Sequence, residues 1–165
     1  MGPRVSGRGG AGGGVMGTGE LWAGFVIDDA QLSGLLAPDA LLGYRPVATM
    51  QQQACAVYAK LQIPGFFNEL VSVNGIFVSG ANGNLNWDAW TNYGRACVED
   101  HDNHVENVLA QNTVFVGDRL VCVDLASVFT GIGAGDNIGI QFVRNVAGST
   151  IDGNIYAIGV RLIFI

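Results

Sequence analysis

Stretches that alternate between apolar and polar residues recur along this chain and are separated by glycine and asparagine. Every second residue of ACAVYAKLQI (residues 54–63) is apolar or small, and NLNWDAWTNY (84–93) and NIGIQFV (137–143) repeat the pattern. A period of two places alternate side chains on opposite faces of a β-strand. No stretch sustains the 3.6-residue apolar period of a helix, so the sequence predicts an all-β protein.

The spacing of these strands predicts an antiparallel sandwich or barrel, because short strands at near-regular intervals are typical of both. We expect one sandwich domain over residues 20–165. Residues 1–19 form a Gly-rich arm that has little to bury, so we expect it to be flexible. Asn74-Gly75, inside ELVSVNGIFVS, predicts a tight turn or a bulge.

The last predicted strand, IYAIGVRLIFI (155–165), has apolar or small residues on both faces and Arg161 as its one charge. An outer strand of a monomeric sandwich normally has one wet face. This strand is therefore either central in a sheet that is covered on both faces or covered by another subunit. The charged fraction of only 13% favours the second interpretation. The predicted oligomer interface consists of Tyr156, Ile158, Val160, Leu162, Ile163, Phe164 and Ile165.

The charge balance argues against nucleic acid as a partner, because the formal net charge is -6 and Lys60 is the single lysine. Three widely spaced cysteines do not form a disulfide framework, which favours synthesis in a reducing cytoplasm. No apolar run approaches the ~18 residues of a membrane span, so we expect no membrane partner.

The C-terminal segment LVCVDLASVFTGIGAGDNIGIQFVRNVAGSTIDGNIYAIGVRLIFI (120–165) resembles the single-domain jelly-roll proteins of tailed-phage virions. VYAKLQIPGFF and NLNWDAW upstream fit the same layout, so the resemblance covers residues 45–165. These are capsid decoration (cement) proteins, head fibres and tail-spike modules. The resemblance implies a jelly-roll β-sandwich of about eight strands, often a homotrimer, on the exterior of a virion and bound to the major capsid protein or another virion protein. The arm would then reach a neighbouring protein, and the candidate anchoring residues are Arg4, Arg8, Leu21, Trp22 and Phe25.

Arg144 has the same strand parity as the apolar residues of NIGIQFV, which predicts that it faces inward. A buried guanidinium needs partners, and a carboxylate is the usual one. We therefore predict a structural ion pair between Arg144 and Asp152 or Asp124.

The acidic stretch CVEDHDNHVEN (97–107) is the richest in titratable groups. It is either a solvated loop or a weak metal site built from His101, His104 and Asp102. We find no metalloprotease motif and no nucleophile elbow, and we expect no cofactor and no enzyme activity.

Two alternatives to a virion protein remain open. A carbohydrate- or host-receptor-binding jelly roll would use exposed aromatic side chains. Trp87 and Trp90 lie three apart, so they face opposite sides, and we expect one in the core and the other exposed together with Tyr93. A self-assembling filament subunit is the second alternative.

Overall fold

The computed structural model of the chain describes residues 17–27, 39–42, 45–51, 55–95, 99–100 and 104–165. Within them the structure is almost entirely β, with one 3₁₀ turn at Ala126–Val128 and no helix long and apolar enough to span a membrane. The all-β prediction is confirmed. The strands of the described residues are β1 (Gly19–Gly24), β2 (Asp39–Leu42), β3 (Arg45–Met50), β4 (Cys55–Gln62), β5 (Leu70–Ser79), β6 (Gly83–Arg95), β7 (His104–Phe115), β8 (Leu120–Asp124), β9 (Asp136–Asn145) and β10 (Ile155–Phe164).

The strands form two antiparallel sheets. One has the order β2-β3-β10-β5-β8, with β1 also paired to β10, and the other has the order β4-β9-β6-β7. The pairs β6–β7, β5–β8, β4–β9 and β3–β10 are nested, so the chain is one long hairpin that is rolled up. Successive pairs alternate between the sheets, which is the jelly-roll arrangement. The predicted jelly-roll sandwich is confirmed, with β1 and β2 added to its eight strands.

The core fills the space between the two sheets. Phe142 of β9 lies at its centre, with ring centroids 4.6 Å from Phe77 of β5 and 5.1 Å from Trp87 of β6. The predicted alternation of β6 is confirmed, because every second side chain from Leu85 to Tyr93 is buried.

The last strand, β10, is central in its sheet. β5 pairs along one edge, and the other edge is shared by β3 at residues 155–157 and β1 at residues 159–164. A register irregularity between Ala157 and Gly159 interrupts the alternation of side chains. Residues on both sides of the irregularity therefore face the same core, and these are Ile155, Ala157, Val160, Leu162 and Phe164.

The oligomer interface predicted on β10 needs correction for this reason. Val160, Leu162 and Phe164 are buried between the two sheets of their own chain, so their assignment to a subunit contact was wrong. Ile158 is 7% exposed, buried on the outer face in a small apolar cluster with Val47, Ile76 and Val78, so its assignment was wrong as well. Tyr156 is half-buried against this cluster, and its part in an interface stays a prediction. Ile163 and Ile165 are half-buried, and their part in an interface stays a prediction.

The anchoring surface predicted around β1 is also only partly available. Phe25 is buried and its ring lies 5.5 Å from that of Phe77, so it cannot contact a neighbouring protein, and its assignment was wrong. Leu21 is half-buried against the core. Trp22 is 51% exposed, whereas Arg4 and Arg8, with the rest of residues 1–16, lie outside the described residues.

Asn74-Gly75 forms neither a turn nor a bulge, because β5 runs straight through it. A Cβ atom at Gly75 would lie 2.6 Å from Cε2 of Phe77. The glycine therefore leaves room for a core ring instead of reversing the chain.

Candidate ligand-binding groove on the four-stranded sheet

A groove of about 540 Å³ crosses the outer face of the four-stranded sheet. All four strands of this sheet, β4, β9, β6 and β7, contribute residues to its lining. Its outward-facing side chains are Tyr58, Gln141, Trp90, Asn92 and Val105, and Gly139 forms part of its floor.

One wall of the groove is a row of side chains that runs across the strands. Tyr58 pairs with Gln141, Gln141 pairs with Trp90, and Trp90 pairs with Asn107. The Gln141 amide donates a hydrogen bond to the Tyr58 hydroxyl over 3.0 Å. Neighbouring strands lie about 4.8 Å apart, which separates Tyr58 from Trp90 by roughly 10 Å along the row.

A second row forms the floor and the opposite wall. Gly139 pairs with Asn92, and Asn92 pairs with Val105. A Cβ atom at position 139 would collide with Oδ1 of Asn92, so only glycine fits here without displacing that amide. The missing side chain therefore makes room for the Asn92 amide against the backbone of β9.

None of the described residues that line the groove is charged. Asp88, one row further along β6, uses Oδ1 to accept a hydrogen bond from the backbone N–H of Ala110 over 2.6 Å. Two aromatic rings and two amides therefore define the chemistry of the lining, which suits a neutral ligand with many hydroxyl groups. The exposed Lys60 of β4, which pairs with Gly139, stands beside this lining as a further hydrogen-bond donor.

The sequence predicted half of this arrangement. Trp87 and Trp90 do face opposite sides, with Trp87 in the core and Trp90 in the groove. The expected exposure of Tyr93 was wrong, because Tyr93 shares the parity of Trp87 and is fully buried. Tyr58 takes its place beside Trp90. Its position on the polar face of ACAVYAKLQI was the available signal, but only the pairing through β9 brings the two rings into one row.

Tyr93 belongs instead to a hydrogen-bonded cluster that holds the β8–β9 connection. Its hydroxyl donates to Oε1 of Glu106 over 2.7 Å and accepts from the N–H of Gly131 over 3.1 Å. Burial and the bond to Glu106 raise the pKa of Tyr93. Burial also raises the pKa of Glu106, but hydrogen bonds from Thr130 and Tyr93 outweigh it, and the net pKa is lowered. Every group in the cluster has a structural partner, so the cluster is architectural.

Arg144 faces inward as predicted and is 1% exposed. Its guanidinium donates to four backbone carbonyls, those of Met50, Gln51, Ile151 and Gly153, over 2.7 to 3.2 Å. Burial lowers the pKa of Arg144, and attraction to Asp152 counters this effect.

Asp124 does not reach Arg144. It pairs with Asn74 on the other sheet, and Asn74 pairs with Arg161 near the far end of β10. Arg161 lies six residues along β10 from Ile155, which pairs with Met50 beside Arg144. Six residues of strand span about 20 Å. Asp124 instead accepts a hydrogen bond from the N–H of Ala126 over 2.9 Å. Its assignment as a partner of Arg144 was therefore wrong.

The weak metal site falls mostly outside the described residues, which exclude His101 and Asp102. His104 is exposed and its ring stacks on Tyr93 at 5.2 Å. In the described part of the chain, no cluster of three or more His, Cys, Asp or Glu side chains is placed to hold a metal ion.

No protein-family model and no curated protein matches the sequence. Among solved structures, the module TmCBM61 in complex with β-1,4-galactotriose is similar over 89% of this chain and 87% of its own, with 7% identity and a TM-score of 0.38. The insecticidal δ-endotoxin Cry8Ea1 from Bacillus thuringiensis is similar over 73% of this chain, with 12% identity and a TM-score of 0.43. This chain spans about a fifth of the toxin, covering 20% of it. At these TM-scores neither likeness carries an argument about function.

Proposed function

We propose that this protein is a non-catalytic carbohydrate-binding jelly roll that holds a neutral glycan in the groove of its four-stranded sheet. The observation that carries the proposal is the row Tyr58–Gln141–Trp90, in which an amide lies between two aromatic rings. Aromatic side chains offer flat apolar faces that suit the C–H faces of pyranose rings. An amide between them can both donate to and accept from sugar hydroxyls.

The shape and charge of the groove support this proposal. Its volume of about 540 Å³ lies within the ~300–1,000 Å³ of small-molecule sites. Glycoside hydrolysis generally needs two carboxylates beside the scissile bond. The described lining of the groove contains no carboxylate, which favours binding over cleavage.

The test is affinity electrophoresis of the full chain through gels that contain neutral polysaccharides, namely glucans, galactan, mannan and xylan. We expect at least one polysaccharide to retard the protein, and Trp90→Ala to weaken that binding about tenfold, which corresponds to about 1.4 kcal/mol. Trp22→Ala is the matched control, because Trp22 is exposed on the other sheet. Retardation by none of the gels, or unchanged binding by Trp90→Ala, would exclude this function.

A second candidate function is a subunit on the exterior of a phage virion, which assembles as a homotrimer on the major capsid protein. The outer face of the six-stranded sheet supports it. On that face Trp22 is 51% exposed, and Leu120, which pairs with the outward-facing Val78, is 59% exposed. Large apolar side chains on an outer sheet face favour contact with another protein surface.

Native mass from light scattering behind size exclusion, at two protein concentrations, tests the second candidate. We expect a mass near three chains for the wild type and a smaller mass for Trp22→Asp. Val114→Asp is the control, because Val114 is 69% exposed on the other sheet. A monomeric wild type at both concentrations would contradict the trimer.

A further inference from the structure

We infer that the groove binds an internal segment of a linear glycan that lies across the four strands, with Tyr58 and Trp90 stacked on two different sugar residues. This inference rests on the proposed function, and it specifies the form of the ligand and its direction on the sheet.

The direction follows from the lining. Both rows of the groove run perpendicular to the strands, since each row is a set of directly paired residues. The first row takes Tyr58 from β4, Gln141 from β9 and Trp90 from β6, and the second ends at Val105 of β7. A ligand that fills this groove therefore runs from one edge of the sheet to the other.

The length of the ligand follows from the aromatic rings. Tyr58 and Trp90 stand on the same wall with one strand between them, roughly 10 Å apart. A single pyranose ring is too short to stack on both. A linear chain that contacts both rings must place another sugar residue beside Gln141, so at least three consecutive residues occupy the groove.

The open end of the groove allows the glycan to continue. β7 is the last strand of its sheet in the described part of the chain, and Val105, the lining residue at that edge, is 61% exposed. A site for a terminal sugar would need a wall at this end. The described lining leaves the end open, so further sugar residues can extend beyond β7 into solvent.

Calorimetry with oligosaccharides tests the inference. The probes are fragments of one to six residues cut from a polysaccharide that binds the wild type. We expect affinity to rise about tenfold or more between two and four residues and then to level off. A hexasaccharide with a bulky fluorophore at its reducing end should bind as tightly as the untagged one.

Three variants separate the two rings. Tyr58→Ala should weaken binding of the long fragments and leave the shortest ones unchanged, whereas Trp90→Ala should weaken binding at every length. Tyr58→Phe keeps the ring and loses only the hydrogen bond to Gln141, so it should retain most of the affinity. It is the control for Tyr58→Ala, in which the loss of the ring could also disturb the fold.

Two results have different consequences. If no polysaccharide binds the wild type, the proposed function fails and the inference fails with it. If binding occurs but a monosaccharide binds as tightly as the hexasaccharide, or the end tag abolishes binding, the groove holds a terminal sugar and only this inference is overturned.

Discussion

Replacing Arg144 by methionine should destabilise this fold more than any single surface change. The guanidinium is 1% exposed and joins carbonyls from two separate parts of the chain, residues 50–51 and residues 151–153. Methionine has a similar reach and can fill the space, but it cannot donate a hydrogen bond. The substitution therefore removes four charge-assisted bonds and leaves their acceptors behind.

The size of the loss follows from where those acceptors lie. The bonds to the carbonyls of Met50 and Ile151 are buried, and the other two are only partly so. A buried acceptor without a donor costs about 1–3 kcal/mol, so two of them cost about 2–6 kcal/mol. Methionine also removes the free-energy cost of burying the charge of Arg144, which offsets part of this loss. We expect Arg144→Met to lower the free energy of unfolding by about 2–5 kcal/mol.

Urea unfolding followed by tryptophan fluorescence measures this loss, since Trp87 stacks on Phe142 in the core. Arg161→Met is the matched control. Arg161 pairs with Glu20 at the surface, over 2.9 Å, and its replacement should have little measurable effect. The reasoning is refuted if the two arginine variants unfold at the same urea concentration with equal slopes.

Three further predictions concern single side chains. Gly139→Ala should displace Asn92 and weaken glycan binding in the gels severalfold while leaving the melting temperature almost unchanged. Gly75→Ala should cost about 1–3 kcal/mol in urea unfolding, because its Cβ would overlap the ring of Phe77. Glu106 has a lowered pKa in the folded state, so it contributes stability above its ordinary value of 4.5, and this contribution is lost as the pH falls through the folded pKa. The stability difference between wild type and Glu106→Gln should therefore narrow only below pH 4.5.

A control or a contrary outcome tests each of these predictions. Gly65→Ala should be neutral, since nothing lies within 4 Å of a Cβ atom at that glycine. Equal costs at Gly65 and Gly75 would refute the packing argument. A stability difference between wild type and Glu106→Gln that narrows well above pH 4.5 would contradict the lowered pKa of Glu106. Glycan binding by Gly139→Ala at wild-type strength would show that Asn92 takes no part in binding.

The fold was predictable where side-chain alternation alone decides the outcome. In β6 the period of two from Leu85 to Tyr93 is unbroken, and the burial of these residues follows it. In β10 the irregularity between Ala157 and Gly159 moves the following residues to the opposite face, and no local residue pattern marks it. Asn74-Gly75 misled for a related reason, because the sequence cannot show that Phe77 needs the space above a glycine.

The candidate site was predictable only one strand at a time. The outward position of Trp90 follows from its spacing to Trp87. That of Tyr58 follows from Lys60, which is two residues further along and so lies on the same face of the strand. Their proximity depends on β9, which lies between β4 and β6 and joins them from far along the chain. Pairing between distant strands is set by the whole topology, so sequence spacing gives no measure of it.

The nested order of strand pairs favours one order of pairing as this protein is synthesised. Among the nested pairs, β6 and β7 are neighbours in the chain and close the shortest loop, and each later pair encloses the one before it. Loop closure costs more entropy as the loop grows, so pairing is easiest from the tip of the hairpin outward. β10 joins β1, β3 and β5, so the larger sheet stays in three pieces, namely β2–β3, β5–β8 and β1, until residues 155–164 have left the ribosome. Until then β3 and β5 each have an unpaired edge, and such edges are where a partly made chain is most prone to aggregate.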